Sequence, residues 1–416
     1  MNKKPELLAP VGDWATLNSI LEFADAVYFG VQEFNMRKNA RNFIKSDLEK
    51  IVNLCHQQNP PIQTYLCTNI IIYESELQML EELLRLALEA NIDAVIVHDM
   101  AAIQKARKFG IPFHISTQAN ISNSSSAQFF EELGAERIIL ARELSLSQIK
   151  KIKQKLKKVE IETFIHGACC TSISGRCYFS AEIMNSQKYS ANRGNCTQPC
   201  RRKWKVIDDS NNEFIYDGKY FLNTKDLCMI EYIPELIKAG IDAFKIEGRM
   251  KDANYVKTVT RCYKEAIENY FEGTYNQQKI DEWLKKLKTV YNRGFHTGFY
   301  FSSPTVEDLE LNHRGNVSPY KKEYLGKIES YHKASKTGNI IIENVGVSIK
   351  KGDTILISGK QHSFLQTLDH INLKGEKIED KKSIIVRNKR QKPIIINVRF
   401  INLVNTSDKI YKISHR

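Results

Sequence analysis

The chain has 416 residues, 42% of them hydrophobic and 26% charged, with a formal net charge of +13. That length exceeds one ordinary core, so two domains are expected, and the apolar content excludes a disordered chain. No apolar run approaches the ~18–20 residues a bilayer-crossing helix needs. The start, MNKKPELLAPVGDW, holds no apolar stretch before Asp13 that would read as a secretory signal. A cytoplasmic protein with reduced thiols is the expectation.

Through residue 250, short apolar runs alternate with amphipathic stretches. Candidate strands are ELLAPV, DAVYFG, PIQTYLCTN, DAVIVHD, PFHISTQ, ERIILA and IETFIHG, followed by FLNTKDL and AFKIEG. Most are rich in Val, Ile, Phe or Tyr. Between them YESELQMLEELLRLALEAN, MAAIQKARKFG and SLSQIKKIKQKL carry helical periodicity, several ending in Gly or Asn as a left-handed cap requires. Strand–helix alternation implies parallel pairing, and eight or so units predict an α/β fold of the (β/α)8, TIM-like type. Nine candidates are one too many, and FLNTKDL is the one assigned outside the barrel. A doubly wound open sheet is the alternative, but APVGDWAT has a single glycine where that fold carries a phosphate-binding fingerprint.

Residues 178–220 break the rhythm with a segment too long and polar for an ordinary loop, which predicts a functional insertion. Residues 250–292 read as helices, NYVKTVTRCYKEAIENYFEG above all. From about Tyr324 the period falls to two. YLGKIESY, NIIIENV, DTILISG, SIIVRNKR and PIIINVRFINLV predict a small all-β barrel or sandwich. The expected division is a catalytic domain over 1–320, with a Cys-rich insertion at about 165–230, and a β-barrel domain over 321–416. Lys321 to Arg416 holds 20 Lys and Arg against 9 Asp and Glu, a net of +11, while the remainder carries 41 against 39, a net of +2. One short segment thus supplies most of the excess charge, as a polyanion-binding module would; lysines that guard β-edges against aggregation are the plainer explanation.

Six of the nine cysteines fall within sixty residues: Cys169, Cys170, Cys177, Cys196, Cys200 and Cys228. Neighbours in an extended segment point opposite ways, so one of Cys169 and Cys170 is a bystander. The others sit in Gly- and Pro-punctuated loops that can gather distant thiolates around one centre. No pair has the C-x2-C spacing of a zinc ribbon. Four thiolates from long loops suit a [4Fe–4S] cluster. Buried free thiols are the competing explanation, and it fits Cys55, Cys67 and Cys262. A catalytic cysteine would need an imidazole, and His166 lies three residues before Cys169. Neither H-E-x-x-H nor G-x-S-x-G occurs.

In a (β/α)8 barrel the C-terminal strand ends form the site. Those positions offer His98 and Asp99, Thr117 and Gln118, Arg142 and Glu143, His166, then Glu247 and Arg249. Such a rim could grip an anion through arginine and handle protons through His and Glu. His98, His166 and Glu247 are the candidate proton carriers; Gln118, Arg142, Arg176 and Arg249 are the candidate substrate contacts. Arg176, Arg193, Arg201 and Arg202 add positive charge around the cysteines.

ETFIHGACCTSISGRCYFS, NRGNCTQPCRRKW, LNTKDLCMIEYIPELIKAGIDAFKIEGRMK and RGFHTGFYF resemble the signature blocks of the bacterial collagenase-like peptidase family of unassigned catalytic type. The likeness spans nearly the whole chain. It departs at Cys169, where the family usually has an aliphatic residue. The pattern is most similar to the family's prephenate-dependent tRNA uridine hydroxylase branch. This resemblance implies oxygen-independent C5 hydroxylation of the wobble uridine, with a [4Fe–4S] cluster and prephenate as co-substrate. It implies Cys170, Cys177, Cys196 and Cys228 as cluster ligands, with Cys200 the alternative to Cys228. Expected partners are tRNA, a small carboxylate co-substrate and a paralogous subunit, with no membrane. Hydroxylation of ribosomal RNA or of a quinone precursor, a collagenase-like protease, and a non-catalytic RNA-binding module with structural zinc are the rival readings.

Overall fold

The computed structural model describes residues 3–174, 176–214, 219–373, 376–377, 384–385 and 394–416. The chain divides into two compact units: Met1–Gly12, Ile20–Lys251 and Thr258–Val317 make the first, and Asp13–Ser19, Asp252–Lys257 and Ser318–Arg416 the second.

In the first unit β1 (Glu6–Pro10), β2 (Ala26–Phe29), β3 (Gln63–Thr68), β4 (Ala94–Val97), β5 (Phe113–Ile115), β6 (Arg137–Ile139) and β7 (Glu160–Ala168) follow one another. A hairpin of β8 (Val206–Ile207) and β9 (Glu213–Phe214) lies in the insertion. Next come β10 (Asp226–Cys228), β11 (Ala243–Ile246) and β12 (Phe295–His296). Strands β1 to β7 and β11 pair in parallel, and β11 bonds to both β1 and β7, closing an eight-strand barrel. The strands AVYF and AVIV are buried along their whole length, because parallel strands here are covered on both faces. The expected odd strand out is confirmed: β10, from the FLNTKDL run, pairs antiparallel to β7, and β12 continues the sheet beyond it.

Helices α1 (Trp14–Ile20), α2 (Leu48–His56), α3 (Leu77–Glu89), α4 (Met100–Phe109), α5 (Ser124–Glu132) and α6 (Leu146–Lys153) connect successive strands. α3 buries Leu80, Leu83, Leu84 and Ala87, one stripe at helical spacing, while Glu82, Arg85 and Glu89 face solvent. Each buried leucine contributes about 2 kcal/mol. α4 starts where the Asp99 carboxylate accepts the Ala101 N–H and ends at Gly110 with φ +67°. α7 (Phe179–Ile183) lies in the insertion, α8 (Ile233–Lys238) joins β10 to β11, and α9 (Ala253–Phe271) and α10 (Gln277–Thr289) follow.

A charged layer fills one level of the barrel interior. Arg137 bonds Glu6 at 2.6 Å and Glu160 at 2.7 Å, and Lys245 bonds the fully buried Glu162 at 2.6 Å. Every charge there has a partner, the condition for tolerating desolvation. The partnered layer also fixes β1, β6, β7 and β11 in register, which sets the positions of the strand ends above it.

The second unit holds β13 (Tyr320–His332), β14 (Thr337–Ile342), β15 (Ser348–Ile349), β16 (Thr354–Ser358), β17 (Ser363–Thr367), β18 (Ile371–Leu373), β19 (Glu376–Lys377), β20 (Ile384–Ile385), β21 (Ile394–Arg399) and β22 (Lys409–His415). Eight of them form an antiparallel sheet in the order β17-β16-β22-β13-β14-β21-β18-β19, curled as a half-barrel, and β15 pairs with β20. Burial alternates along β14, as period-two patterning requires, around Ile328, Ile340, Ile355 and Ile396. Of the expected strand SIIVRNKR only Ile384–Ile385 lies within the described residues.

Candidate functional site

The C-terminal ends of the barrel strands carry a cluster of opposed charges. β11 runs directly into Glu247 and Arg249, and the loop after β2 brings in Asn35 and Arg37. Arg37 donates to Glu247 through Nη2 at 2.7 Å and Nε at 3.3 Å, and Arg142 Nη2 stands 3.8 Å from the same carboxylate. Burial pushes the Glu247 carboxyl up, but Arg37, Arg142 and Arg249 outweigh it and hold it below the usual range. Glu247 is therefore ionised and suited to orient cationic groups, not to act as an acid. Arg142 donates to the Ala168 carbonyl at 2.8 Å and lies 3.8 Å over the Phe164 ring. Arg249 Nη2 bonds Asn35 Oδ1 at 2.9 Å and Asn42 Oδ1 at 2.5 Å.

Close backbone approach makes this mouth possible. Gly167, at φ +104°, lies so near β11 that a Cβ would stand 2.3 Å from the Glu247 carbonyl oxygen. Gly194 (φ +80°) lets the insertion press onto the loop after β2, where a Cβ would meet the Asn35 oxygen at 2.3 Å. The neighbouring Arg193 clamps the insertion to the Ile71 carbonyl and to Glu76. Arg201, almost fully buried, donates to Asn223 Oδ1 at 2.8 Å and to the carbonyls of Thr224 and Cys169, each at 2.6 Å. One guanidinium thus ties three separate segments together.

These ties bring the cysteine-bearing loops around a cavity of about 460 Å³, whose wall includes Cys169, Cys170, Cys177, Cys196 and Cys200. Arg37, Arg142, Arg201, Arg293, Lys251 and Glu247 line it too, so the charged mouth and the thiols share one space. Burial pushes the Cys196 thiol up, and Cys200, Cys170 and Cys177 add to the effect because several sulfur charges would face one another. The Cys200 thiol is raised by burial as well, against the pull of Arg201. Cys228 stands apart. It is buried on β10, its sulfur lies 3.7 Å from the Tyr263 hydroxyl, and burial raises its thiol to about 12. It is not among the residues lining the cavity. Among the described residues, no group of three or more His, Cys, Asp or Glu side chains is arranged to hold a single metal ion.

Of the other sequence candidates, Gln118, Arg142 and Glu247 line this cavity, and Arg249 joins Gln118, Arg142 and Glu247 around a smaller recess of about 40 Å³ in the barrel. His98 is half-buried at the end of β4 and lowered chiefly by desolvation and then by Arg176, which is itself exposed; neither lines these two cavities. His166 is 2% exposed and packed on Tyr263 and Phe295, its Nδ1 3.3 Å from the Tyr263 hydroxyl. Desolvation lowers it to about 4, and it lines neither cavity. Sequence reasoning missed Arg37, Lys251 and Arg293. Arg37 and Lys251 signalled themselves only as basic residues in loops that follow β2 and β11, and Arg293, between α10 and β12, carried no strand-end signal at all.

An eight-strand parallel barrel with a thiol-lined, arginine-rich mouth, followed by an antiparallel half-barrel, defines the class. Residues 12–310 match the model of peptidase family U32, and the chain belongs to that family. It is 40% identical to a Methanocaldococcus jannaschii protein named an uncharacterized protease, over 98% of this chain and 97% of that one. It is 37% identical to a Porphyromonas gingivalis protein named collagenase, over 99% and 98% of the two chains. It is 34% identical to the Bacillus subtilis tRNA hydroxylation protein P1, over 89% of this chain and 87% of that one. No helix among the described residues is long and apolar enough to cross a membrane.

Proposed function

We propose that this chain is an RNA-modifying hydroxylase that converts the wobble uridine of tRNA to 5-hydroxyuridine, with a [4Fe–4S] cluster and prephenate as co-substrate. The observation that carries it is the shared cavity in which Cys170, Cys177, Cys196 and Cys200 face the arginine-rich barrel mouth, in a chain similar to a tRNA hydroxylation protein. Four thiols and several guanidinium groups lining one cavity support a cluster there. A four-iron cage binds one thiolate per iron, so it calls for four sulfurs spread around a space and for cations nearby to offset their charge. Those four cysteines would hold it, with Cys228 left as a packed thiol. When bound, the cluster supplies electron transfer and a Lewis-acidic iron.

The protein's own groups bind and orient. Arg37, Arg142 and Arg249 create a positive potential suited to a dicarboxylate, and ionised Glu247 keeps that potential from being uniform. In balance, the pyrimidine C5–H and the donor C–OH bonds break while C5–OH and donor C–H bonds form. The base loses two electrons and the donor gains them. The basic C-terminal segment, net +11 from Lys321, would hold RNA by its phosphates.

The collagenase names of relatives favour peptide hydrolysis as a second reading. A cysteine peptidase needs an imidazole on its thiol, and His166 is packed against Tyr263 instead. The test is nucleoside mass spectrometry of tRNA from cells lacking this chain, complemented with the wild type or with Cys170→Ala. 5-Hydroxyuridine should return only with the wild type. Unchanged 5-hydroxyuridine in the deletion, with gelatin cleavage by the purified protein, would favour the peptidase.

A further inference from the structure

A second cavity, of about 310 Å³, adjoins the thiol cavity and shares Arg142, Cys169, Cys170, Thr171, Ser172 and Leu222 with it. Its volume falls within the ~300–1,000 Å³ range of small-molecule pockets. The chemistry of its wall differs from that of its neighbour. Phe164, Phe221, Phe299, Tyr300, Leu144 and Leu227 make it largely apolar and aromatic. The Tyr300 hydroxyl is already committed to the Phe164 carbonyl at 2.7 Å.

Into this wall comes the imidazole of His296, from β12. Its side chain is 4% exposed, and neither Nδ1 nor Nε2 has a hydrogen-bond partner among the described residues. The nearest acid, Asp308, stands 3.6 Å from Nδ1. A buried donor and acceptor left unmatched are costly, so such a group is kept where a ligand completes it. Desolvation lowers the ring despite Asp308 and Asp226, so it is neutral and presents one donor and one acceptor.

The wall also says which ligands are unwelcome. Glu143 and Asp308 both line it, and its one guanidinium, Arg142, is turned onto the Ala168 carbonyl and the Phe164 ring. A carboxylate or phosphate would meet two acids against one guanidinium, part of which is already spent on the Ala168 carbonyl. A neutral, flat ring with hydrogen-bonding atoms along one edge meets aromatic faces and the His296 nitrogens. An unstacked pyrimidine base has that chemistry.

We propose that this cavity receives the target pyrimidine base flipped out of the RNA, with His296 hydrogen-bonding its edge, while the arginine-lined cavity takes the anionic co-substrate. The proposal rests on the RNA-hydroxylase reading and divides its two substrates between two adjoining cavities. The shared wall, Cys169 to Ser172, is where the two would meet.

The test uses the full-length holoprotein and an anticodon stem-loop RNA with 4-thiouridine at the wobble position. After irradiation, crosslinked peptides are mapped by mass spectrometry. Crosslinks within residues 221–227 or 296–300 are expected. His296→Phe should weaken binding of the uridine hairpin about ten-fold, the worth of one good hydrogen bond to a buried group. It should leave binding of a hairpin abasic at that position unchanged. His296→Gln, which keeps a donor and an acceptor, should recover most of the loss. Crosslinks confined to the loop of Arg37, with 5-hydroxyuridine still formed, would overturn the base pocket and leave the hydroxylase reading standing. No crosslink together with no 5-hydroxyuridine would overturn both. Should His296→Phe fail to fold, the wild-type crosslink map decides alone.

Discussion

Replacing Glu247 with Gln tests the electrostatic design of the barrel mouth. The Glu247 side chain is 11% exposed and Arg37 31% exposed, and they meet at 2.7 Å. Breaking a fully buried pair by removing one partner costs ~3–5 kcal/mol, and an exposed pair contributes ~0–1 kcal/mol. This pair lies between those limits, and glutamine can still accept one guanidinium bond. The expected loss is about 2 kcal/mol at pH 7, read from urea denaturation of both proteins. The pH dependence follows from the sign of the shift. Because the Glu247 carboxyl is held below its ordinary value, its stabilisation is complete above the unfolded carboxyl value, about 4.3, and is lost as pH falls through the lowered folded value. The gap between wild type and variant should therefore narrow on acidification below pH ~4. A loss under ~0.5 kcal/mol at pH 7, or a gap that widens on acidification, would refute the reasoning.

Further expectations concern packing, substrate and charge. Gly167→Ala should destabilise the first unit by ~2 kcal/mol or more, since the methyl would collide with the Glu247 carbonyl oxygen and φ is +104°; the same urea titration measures it. Arg37→Ala, which lines only the thiol cavity and the barrel recess, should raise the apparent KM for prephenate about ten-fold or more while leaving RNA affinity within about two-fold, in steady-state assays with excess RNA. If the basic C-terminal segment contacts about three phosphates, RNA affinity should fall roughly 40-fold between 50 and 200 mM salt, by fluorescence anisotropy. A flat salt profile would remove that segment from RNA binding.

The barrel was legible because its strands are continuous apolar runs. AVYF and AVIV leave no polar residue that solvent could claim, and the helical stripe Leu80, Leu83, Leu84, Ala87 repeats at its expected period. The surplus strand was legible by count, nine candidates for eight places, but polarity did not mark it: Asn223 and Asp226 of FLNTKDL are as buried as Glu162 and Lys245 inside the barrel. Side-chain direction was not legible. His166 and Glu247 both sit at strand ends, yet the first turns into Tyr263 and Phe295 and the second into the mouth. A one-residue change in position along a strand reverses its face, and the bulge in pairing between β11 and β7 at Lys245/Ile246 makes the register unreadable from pattern alone. Arg37 escaped for another reason. FNMRKNARNF reads as a solvated basic loop, and only the fold carries that loop over the barrel to Glu247. The thiols divide along the same line: spacing exposed five candidates near one another, and only the folded loops separate Cys228 from Cys170, Cys177, Cys196 and Cys200.

The most direct measurement is the iron, sulfide and zinc content of protein purified without oxygen, with its visible absorption. Wild type should be brown and hold about four irons and four sulfides per chain. Cys228→Ala should keep them, and Cys170→Ala, Cys177→Ala, Cys196→Ala or Cys200→Ala should each lose them. Colourless or zinc-only wild-type protein, or iron lost with Cys228→Ala and retained with Cys200→Ala, would contradict the account.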